Sequence, residues 1–202
     1  MMDNLIYTRS LLPPPVDRRE VLRYAGVRET TAEIEALLDE CIAEAEDVLT
    51  YKACFRAYDI SVEAEKIDLG FAFVRSRSLE KCLCDCSSAV VFCATVGVGI
   101  DRIIAKYNRL SPAKAVLLQA LGSERVEALC DALCGEIASS VADEGLECTR
   151  RFSPGYGDLP LDLQREIFTS LECTRRIGVT IGDNLFMTPT KSVTAIFGMK
   201  CK

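Results

Sequence analysis

A long helical segment in the second half of the chain constrains the fold more than any other feature of the sequence. Ser111 and Pro112 supply a cap and a first-turn residue, and helical periodicity then continues to about Val141. Gly122 indicates a break within this helix. The second half carries a continuous apolar stripe, which predicts a helix with one buried face. The stripe consists of Val126, Leu129, Cys130, Leu133, Cys134, Ile137, Ala138 and Val141.

The remaining periodicity predicts shorter helices and strands on both sides of this segment. Helices are expected over residues 17–23, 31–49, 79–84 and 161–171, and strands over residues 51–60, 67–74, 89–95 and 192–197. The sequence therefore predicts a single α+β domain over residues 1–202, in which helices flank a largely antiparallel sheet. Residues 1–16 are expected to form an extended arm, because Pro13, Pro14 and Pro15 stiffen it.

Composition limits the partners that such a domain can have. A chain of 202 residues that is 49% apolar has enough material for one large core. The net charge of -6 and the pI near 4.9 disfavour a surface that follows nucleic-acid phosphates. No apolar run approaches the roughly 20 residues that cross a bilayer, and residues 1–4 lack the basic start of an export signal. We therefore expect a cytoplasmic protein that binds neither nucleic acid nor a membrane.

Cysteine and histidine usage limits the chemistry. Histidine is absent, which removes the commonest general base and every mixed cysteine and histidine metal site. The 11 cysteines occur in a long, apolar chain, where reduced thiols are expected rather than a disulfide scaffold. Cys82, Cys84 and Cys86 are close enough to bind a soft metal, but they lack the usual spacing for four ligands. Structural cysteines are therefore favoured, and no metal site is assigned.

A glycine pair resembles part of a dinucleotide-binding turn. Gly97 and Gly99 follow a predicted strand and precede a predicted helix, as in that motif. Arg102 stands where a third glycine is required, so a tight connection between strand and helix is favoured.

The segment from residue 151 to residue 160 has the composition of a binding loop. Arg151 offers a fork of donors to a carboxylate, Pro154 restricts the residue before it, and Gly155 lets backbone approach a ligand. Tyr156 adds a flat aromatic face. On composition alone, an ordinary connecting loop remains the alternative.

The order of motifs in the last third of the chain resembles a known family. The pattern Arg-x-x-Pro-Gly-Tyr, from Arg151 to Tyr156, is similar to the adenosylmethionine-binding signature of the activation domain of cobalamin-dependent methionine synthase. A helix, an Ile-Gly turn, a Met-x-Pro segment and a Ser-Val strand follow in the family's order. In this sequence they are residues 161–171, Ile177-Gly178, Met187-Thr188-Pro189 and Ser192-Val193.

This resemblance implies a curved sheet and a repair reaction. The family methylates a corrinoid that has been oxidised to cobalt(II), using S-adenosylmethionine and one electron. The cobalamin is carried by the partner, a cobalamin-dependent methionine synthase, and a low-potential donor such as flavodoxin supplies the electron. Because the methyl donor is already activated, the domain chiefly positions the reactants and needs no general base. The resemblance thus implies an activating subunit of a methyltransferase.

The resemblance also implies roles for individual residues. Arg151 pairs with the carboxylate of the methyl donor, while Ser153, Pro154, Gly155 and Tyr156 shape its pocket. An acidic helix face contacts the partner's cobalamin domain and holds its displaced histidine. This face consists of Glu124, Glu127 and Asp131. A solvated acidic face is the alternative for these three residues.

The family's longer members have two features without a counterpart in this sequence. An N-terminal aspartate that meets the donor is missing, and the chain ends at Lys202, before a tyrosine-bearing strand. The contacts with adenosine are therefore expected to be fewer or rearranged.

Three other functions remain open at this stage. The first is an interaction module that docks on a corrinoid protein without binding the donor. The second is a metal-binding or redox protein that uses the cysteines from Cys82 to Cys93. The third keeps the reaction and changes the client to another corrinoid methyltransferase.

Overall fold

The computed structural model describes residues 5–63 and 66–201, so the start of the chain, on which the prediction about export depends, lies outside it. Its helices are α1 (Arg18–Tyr24), α2 (Ala32–Glu46), α3 (Arg77–Cys82), α4 (Gly99–Leu110), α5 (Pro112–Ala142), α6 (Leu163–Leu171) and α7 (Cys173–Ile177). Its strands are β1 (Tyr7–Ser10), β2 (Lys52–Asp59), β3 (Ser61–Glu63), β4 (Lys66–Asp68), β5 (Phe73–Val74), β6 (Ser88–Thr95), β7 (Leu146–Cys148), β8 (Thr180–Ile181), β9 (Met187–Thr188) and β10 (Ser192–Cys201).

The main sheet has the order β1-β2-β6-β10-β7, and each neighbouring pair is antiparallel. Strand β6 lies at its centre and alternates between two hydrophobic cores. Val90 and Phe92 face the core that includes α2, α4 and α5, whereas Val91 and Cys93 face the core that includes α6 and α7. Helices thus cover both faces, which confirms the predicted α+β fold with a largely antiparallel sheet.

Helix α5 is continuous, so the predicted break at Gly122 is wrong. A Cβ at this position would lie 3.1 Å from Ile100 Cγ1 and 3.1 Å from Lys191 Cε. The glycine therefore permits close packing against the helix, which has 31 residues. The predicted apolar stripe is largely confirmed, since Leu129 and Cys130 are fully buried.

The N-terminal arm begins with a strand that the sequence pattern did not indicate. Strand β1 pairs with β2, and the following prolines bind to a buried ion pair between Glu124 and Arg125. Arg125 donates hydrogen bonds to the carbonyl oxygens of Pro14 and Pro15, at 2.5 and 2.7 Å. Glu124 is only 4% exposed, because it pairs with Arg125 and faces the arm. Glu124 is thus buried and already paired, whereas the side chains of Glu127 and Asp131 are 38% and 72% exposed.

The predicted strand over residues 67–74 is divided into β4 and β5. Asp68 Oδ1 accepts a hydrogen bond from the backbone of Gly70 at 2.8 Å, and Leu69 N donates to Ala72 O at 2.9 Å. These two bonds form a turn, so local turn chemistry overrides the alternating pattern. The predicted turn before it includes residues 64 and 65, which lie outside the described residues.

The two glycines after β6 pack against the chain before β2. A Cβ at Gly97 would lie 2.3 Å from Thr50 Oγ1, and one at Gly99 would lie 2.3 Å from the carbonyl oxygen of Val48. Gly97 also has a φ of +84°, which favours glycine. Packing therefore explains both glycines, in agreement with the predicted tight connection. Within the described ranges, no helix is long and apolar enough to cross a membrane.

Candidate ligand-binding site

An open cavity of about 600 Å³ lies beside the loop over residues 151–160, which has the composition of a binding loop. Its wall combines the middle of α5, the loop between β7 and α6, the first turn of α6, and the strands β9 and β10. A volume of this size suits a small organic ligand. The lining residues are Glu127, Asp131, Cys134, Thr149, Arg150, Arg151, Phe152, Ser153, Pro154, Tyr156, Gln164, Met187, Ser192, Val193 and Thr194.

The loop is held in place by backbone pairing and by one carboxylate. Phe152 forms an isolated bridge with Ile196 of β10. The backbone nitrogen of Phe152 donates a hydrogen bond to the carbonyl oxygen of Ile196 at 2.7 Å. At the other end, the Asp158 carboxylate accepts hydrogen bonds from Ser76 Oγ and from the backbone of Arg77 and Ser78. The hydrogen bond from the serine hydroxyl, with help from the backbone donors, lowers the pKa of Asp158 well below its usual value. These contacts fix the loop against α3.

Four of the five residues predicted to meet the methyl donor line the cavity: Arg151, Ser153, Pro154 and Tyr156. Gly155 does not line it. This glycine has a φ of +88°, and a Cβ there would lie 3.1 Å from Leu161 Cδ1, so it allows the turn that places its neighbours. The side chain of Tyr156 is 67% exposed.

Arg151 joins the predicted donor site to the predicted partner site. Its Nη2 lies 2.6 Å from Glu127 Oε2 and 2.9 Å from Asp131 Oδ1. Burial opposes the charge of Arg151, but the hydrogen bond that it donates to Glu127 and the nearby negative charges outweigh this effect and raise the pKa of the guanidinium. The side chain is 25% exposed and stays cationic at any physiological pH.

A second cavity, of about 530 Å³, shares Glu127, Asp131 and Arg151 with the first. Its other wall includes Pro14 and Pro15 of the arm. The Asp131 side chain is 72% exposed, against 38% for Glu127. Asp131 is therefore the more accessible of the two carboxylates, on the boundary between the cavities.

Two buried polar side chains in the cavity wall were missed by the sequence analysis. Gln164 is 6% exposed and Thr194 is 2% exposed. Among the described residues, Gln164 Oε1 and Thr194 Oγ1 have no hydrogen-bond partner. The sequence could have indicated that Gln164 is buried, because it shares a helix face with the buried residues Phe168 and Leu171. Thr194 gives no such signal, since threonine is common in strands.

Within residues 5–63 and 66–201, the cysteines are not clustered as the ligands of a metal ion would be. No group of three or more cysteine, aspartate or glutamate side chains there is arranged to hold an ion. Cys82 donates to the carbonyl oxygen of Arg150 at 3.1 Å, and Cys86 is buried. Cys134 lines the cavity, and burial raises its pKa to about 11, which disfavours the thiolate that a metal requires.

Comparisons with known proteins give the family and the fold of this chain. The activation domain of vitamin B12-dependent methionine synthase matches residues 83–201, and the chain belongs to this family. A crystal structure of the MetH reactivation domain bound to AdoHcy aligns with a TM-score of 0.68, over 98% of this chain and 79% of that chain. The identity of 13% shows a shared fold. The comparison with curated proteins gives no match.

Proposed function

We propose that this protein binds S-adenosylmethionine in the cavity beside Arg151 and supports reductive methylation of cob(II)alamin on a partner, a cobalamin-dependent methionine synthase. The observation that carries the proposal is the placement of Arg151, in a chain of this family. The half-buried guanidinium lies in the wall of a ligand-sized cavity, together with Ser153, Pro154 and Tyr156 of the family's signature loop.

Arg151 is suited to the carboxylate of the methionyl part. A guanidinium binds a carboxylate most strongly through two parallel N–H bonds from neighbouring nitrogens. Each such pair of nitrogens includes Nη2, which donates hydrogen bonds to both Glu127 and Asp131. The carboxylate of the donor must therefore displace one of these residues. Asp131 has the longer bond and the more exposed side chain, so it is the one that we expect to leave.

The displaced Asp131 supplies the partner contact. Once Arg151 binds the donor, Asp131 is an exposed carboxylate beside the cavity and can accept a cationic imidazole. The chain has no histidine, so the imidazole must come from the partner. Binding of the donor and docking of the partner are thereby linked through one guanidinium.

The reaction asks for positioning rather than proton transfer. One electron from a low-potential donor such as flavodoxin reduces cobalt(II) to cobalt(I). The electron pair of cobalt(I) forms the bond to the methyl carbon, the carbon–sulfur bond breaks, and S-adenosylhomocysteine leaves. The chain's own residues bind the methyl donor and orient its sulfonium toward the partner. Its cysteines are free thiols, which fits the reducing cytoplasm where we place this reaction.

A reconstitution experiment tests the proposal. The purified protein is mixed with S-adenosylmethionine alone, and then with a cob(II)alamin-loaded methionine synthase and reduced flavodoxin. We expect no methylcobalamin in the first mixture, and in the second a changed cobalt(II) spectrum followed by methylcobalamin. If the protein binds the donor but neither alters the spectrum nor accelerates methylation, the reactivation function is wrong.

A further inference from the structure

Two residues that line the cavity each have a buried polar side-chain atom without a hydrogen-bond partner in the described part of the chain. Gln164 Oε1 comes from the first turn of α6, and Thr194 Oγ1 comes from β10. Ser192, on the same strand, also lines the cavity, but its hydroxyl bonds to the carbonyl oxygen of Pro189 and to Thr95 Oγ1, both at 2.8 Å. The polar wall is thus only partly satisfied by the protein itself.

Such atoms are unfavourable unless something binds them. A buried polar atom loses its hydrogen bonds with water on folding. This loss destabilises the folded protein when no protein group replaces those bonds. Tyr58 Oη is the third unpartnered atom found in the described residues, and it does not line the cavity. The occurrence of the other two in the wall of one ligand-sized cavity points to a ligand that completes their hydrogen bonding.

We propose that Gln164 and Thr194 bind hydrogen-bond donors of the adenosyl part of the methyl donor and so select an adenosyl group. This inference rests on the proposed function. Arg151, which we propose binds the methionyl carboxylate, begins the signature loop, whereas Gln164 follows that loop and lines the same cavity. The adenosyl part carries the required donors, namely the amino group of adenine and the hydroxyls of ribose.

Substitutions that keep the size of Gln164 and Thr194 distinguish a contact with the ligand from a structural role. Gln164→Met and Thr194→Val remove the polar atoms and keep most of the volume. We expect each to lower affinity for S-adenosylmethionine by roughly two- to tenfold, the effect of one neutral hydrogen bond. The melting temperature of the empty protein should stay the same or rise, because an unsatisfied polar group has been removed. A structural hydrogen-bonding role would instead lower the melting temperature.

Ligand fragments locate the contact. Methylthioadenosine has the adenosyl part without the carboxylate, so calorimetric titration should show the same loss with Gln164→Met and Thr194→Val but no loss with Arg151→Ala. Methylthioinosine lacks the amino group, and the 2′-deoxy and 3′-deoxy forms each lack one hydroxyl. The analogue that lacks the recognised donor should bind wild type weakly and lose nothing further in the variant. Gln119→Met, at an exposed position of α5 outside the cavity, is the matched control.

The outcomes separate this inference from the function on which it rests. If wild type binds neither S-adenosylmethionine nor methylthioadenosine, donor binding and this inference both fail. If wild type binds S-adenosylmethionine and Arg151→Ala weakens it, while Gln164→Met and Thr194→Val leave it unchanged, only the adenosyl assignment is overturned.

Discussion

Arg151 and Asp131 are hydrogen-bonded to each other, with 2.9 Å between Nη2 and Oδ1, although they lie 20 residues apart in the sequence. The family resemblance implies different ligands for the two residues, a donor carboxylate for Arg151 and a partner imidazole for Asp131. Their contact means that whatever occupies one residue changes what the other can bind. By thermodynamic linkage, a donor that favours the partner must itself be favoured by the partner to the same extent.

Asp131→Asn should raise the affinity of the isolated protein for S-adenosylmethionine. The variant removes a carboxylate that competes for Arg151, and an exposed ion pair of this kind contributes about 0.2–1 kcal/mol, so the affinity should rise by a factor of roughly 1.4 to 5. The same variant should weaken the preference for the histidine-off partner. Titration calorimetry and the cobalt(II) spectrum measure the two effects. Glu136→Gln removes one charge from an exposed position of the same helix and should change neither.

Arg151→Ala should lower the affinity for S-adenosylmethionine. A hydrogen bond to a charged group contributes about 1.5–3 kcal/mol, which corresponds to roughly a tenfold to hundredfold loss. Arg151→Lys should recover only part of it, because lysine keeps the charge and lacks the fork. Arg175→Ala, which removes an exposed arginine of α7, is the control. Equal calorimetric affinities for wild type and Arg151→Ala would remove this residue from the site.

The two cysteines on the stripe of α5 should behave differently when replaced by alanine. Cys130 is fully buried and does not line the cavity, so Cys130→Ala should cost about 1–2 kcal/mol of stability and leave donor binding unchanged. Cys134 is half-buried and forms part of the cavity wall, so Cys134→Ala should cost less stability and alter binding. Urea unfolding and titration measure these effects. If Cys130→Ala is as stable as wild type, the stripe is not packed as described.

Stability should fall as the pH rises above about 8.5. Burial raises the pKa of Cys41 and of Cys134 to about 11, whereas an unfolded thiol titrates near 8.5. A raised folded pKa stabilises the protein fully below the unfolded value, and this contribution is lost as the pH rises toward the folded value. Each thiol contributes a slope of at most about 1.4 kcal/mol per pH unit. Urea unfolding between pH 8 and pH 11 should show this loss, and Cys41→Ala should reduce its slope.

Gly99→Ala should destabilise the fold without weakening donor binding by the folded protein. The added Cβ would lie 2.3 Å from the carbonyl oxygen of Val48, so the backbone must shift, at a cost of about 1–3 kcal/mol. Thermal melting and titration below the transition measure the two properties. Val98→Ala, at an exposed position of the same turn, provides the control. A stable Gly99→Ala variant with weakened donor binding would instead place this turn in a ligand site.

Local sequence determined much of the fold. The cap at Asp17, the proline at the start of α5 and its apolar stripe are short-range patterns, and the helices that they predict are present. The loop that begins at Arg151 could be found in the same way, because proline, glycine and aromatic spacing depends on neighbours in the chain. The order of motifs after it then identified the family, which residues 83–201 confirm.

Only the tertiary structure decided which side chains meet. Glu124 and Glu127 lie on the same helix and carry the same charge. Glu124 is nevertheless buried against Arg125 and the arm, while Glu127 lines the cavity beside Arg151. Helical periodicity fixes the side of the helix on which a side chain lies, but it does not predict which distant segment packs against that side. For the same reason, the sequence could not predict the ion pair between Arg151 and Asp131 or the unpaired oxygen of Gln164. Burial and ion pairing depend on contacts between distant parts of the chain, and these exist only after folding.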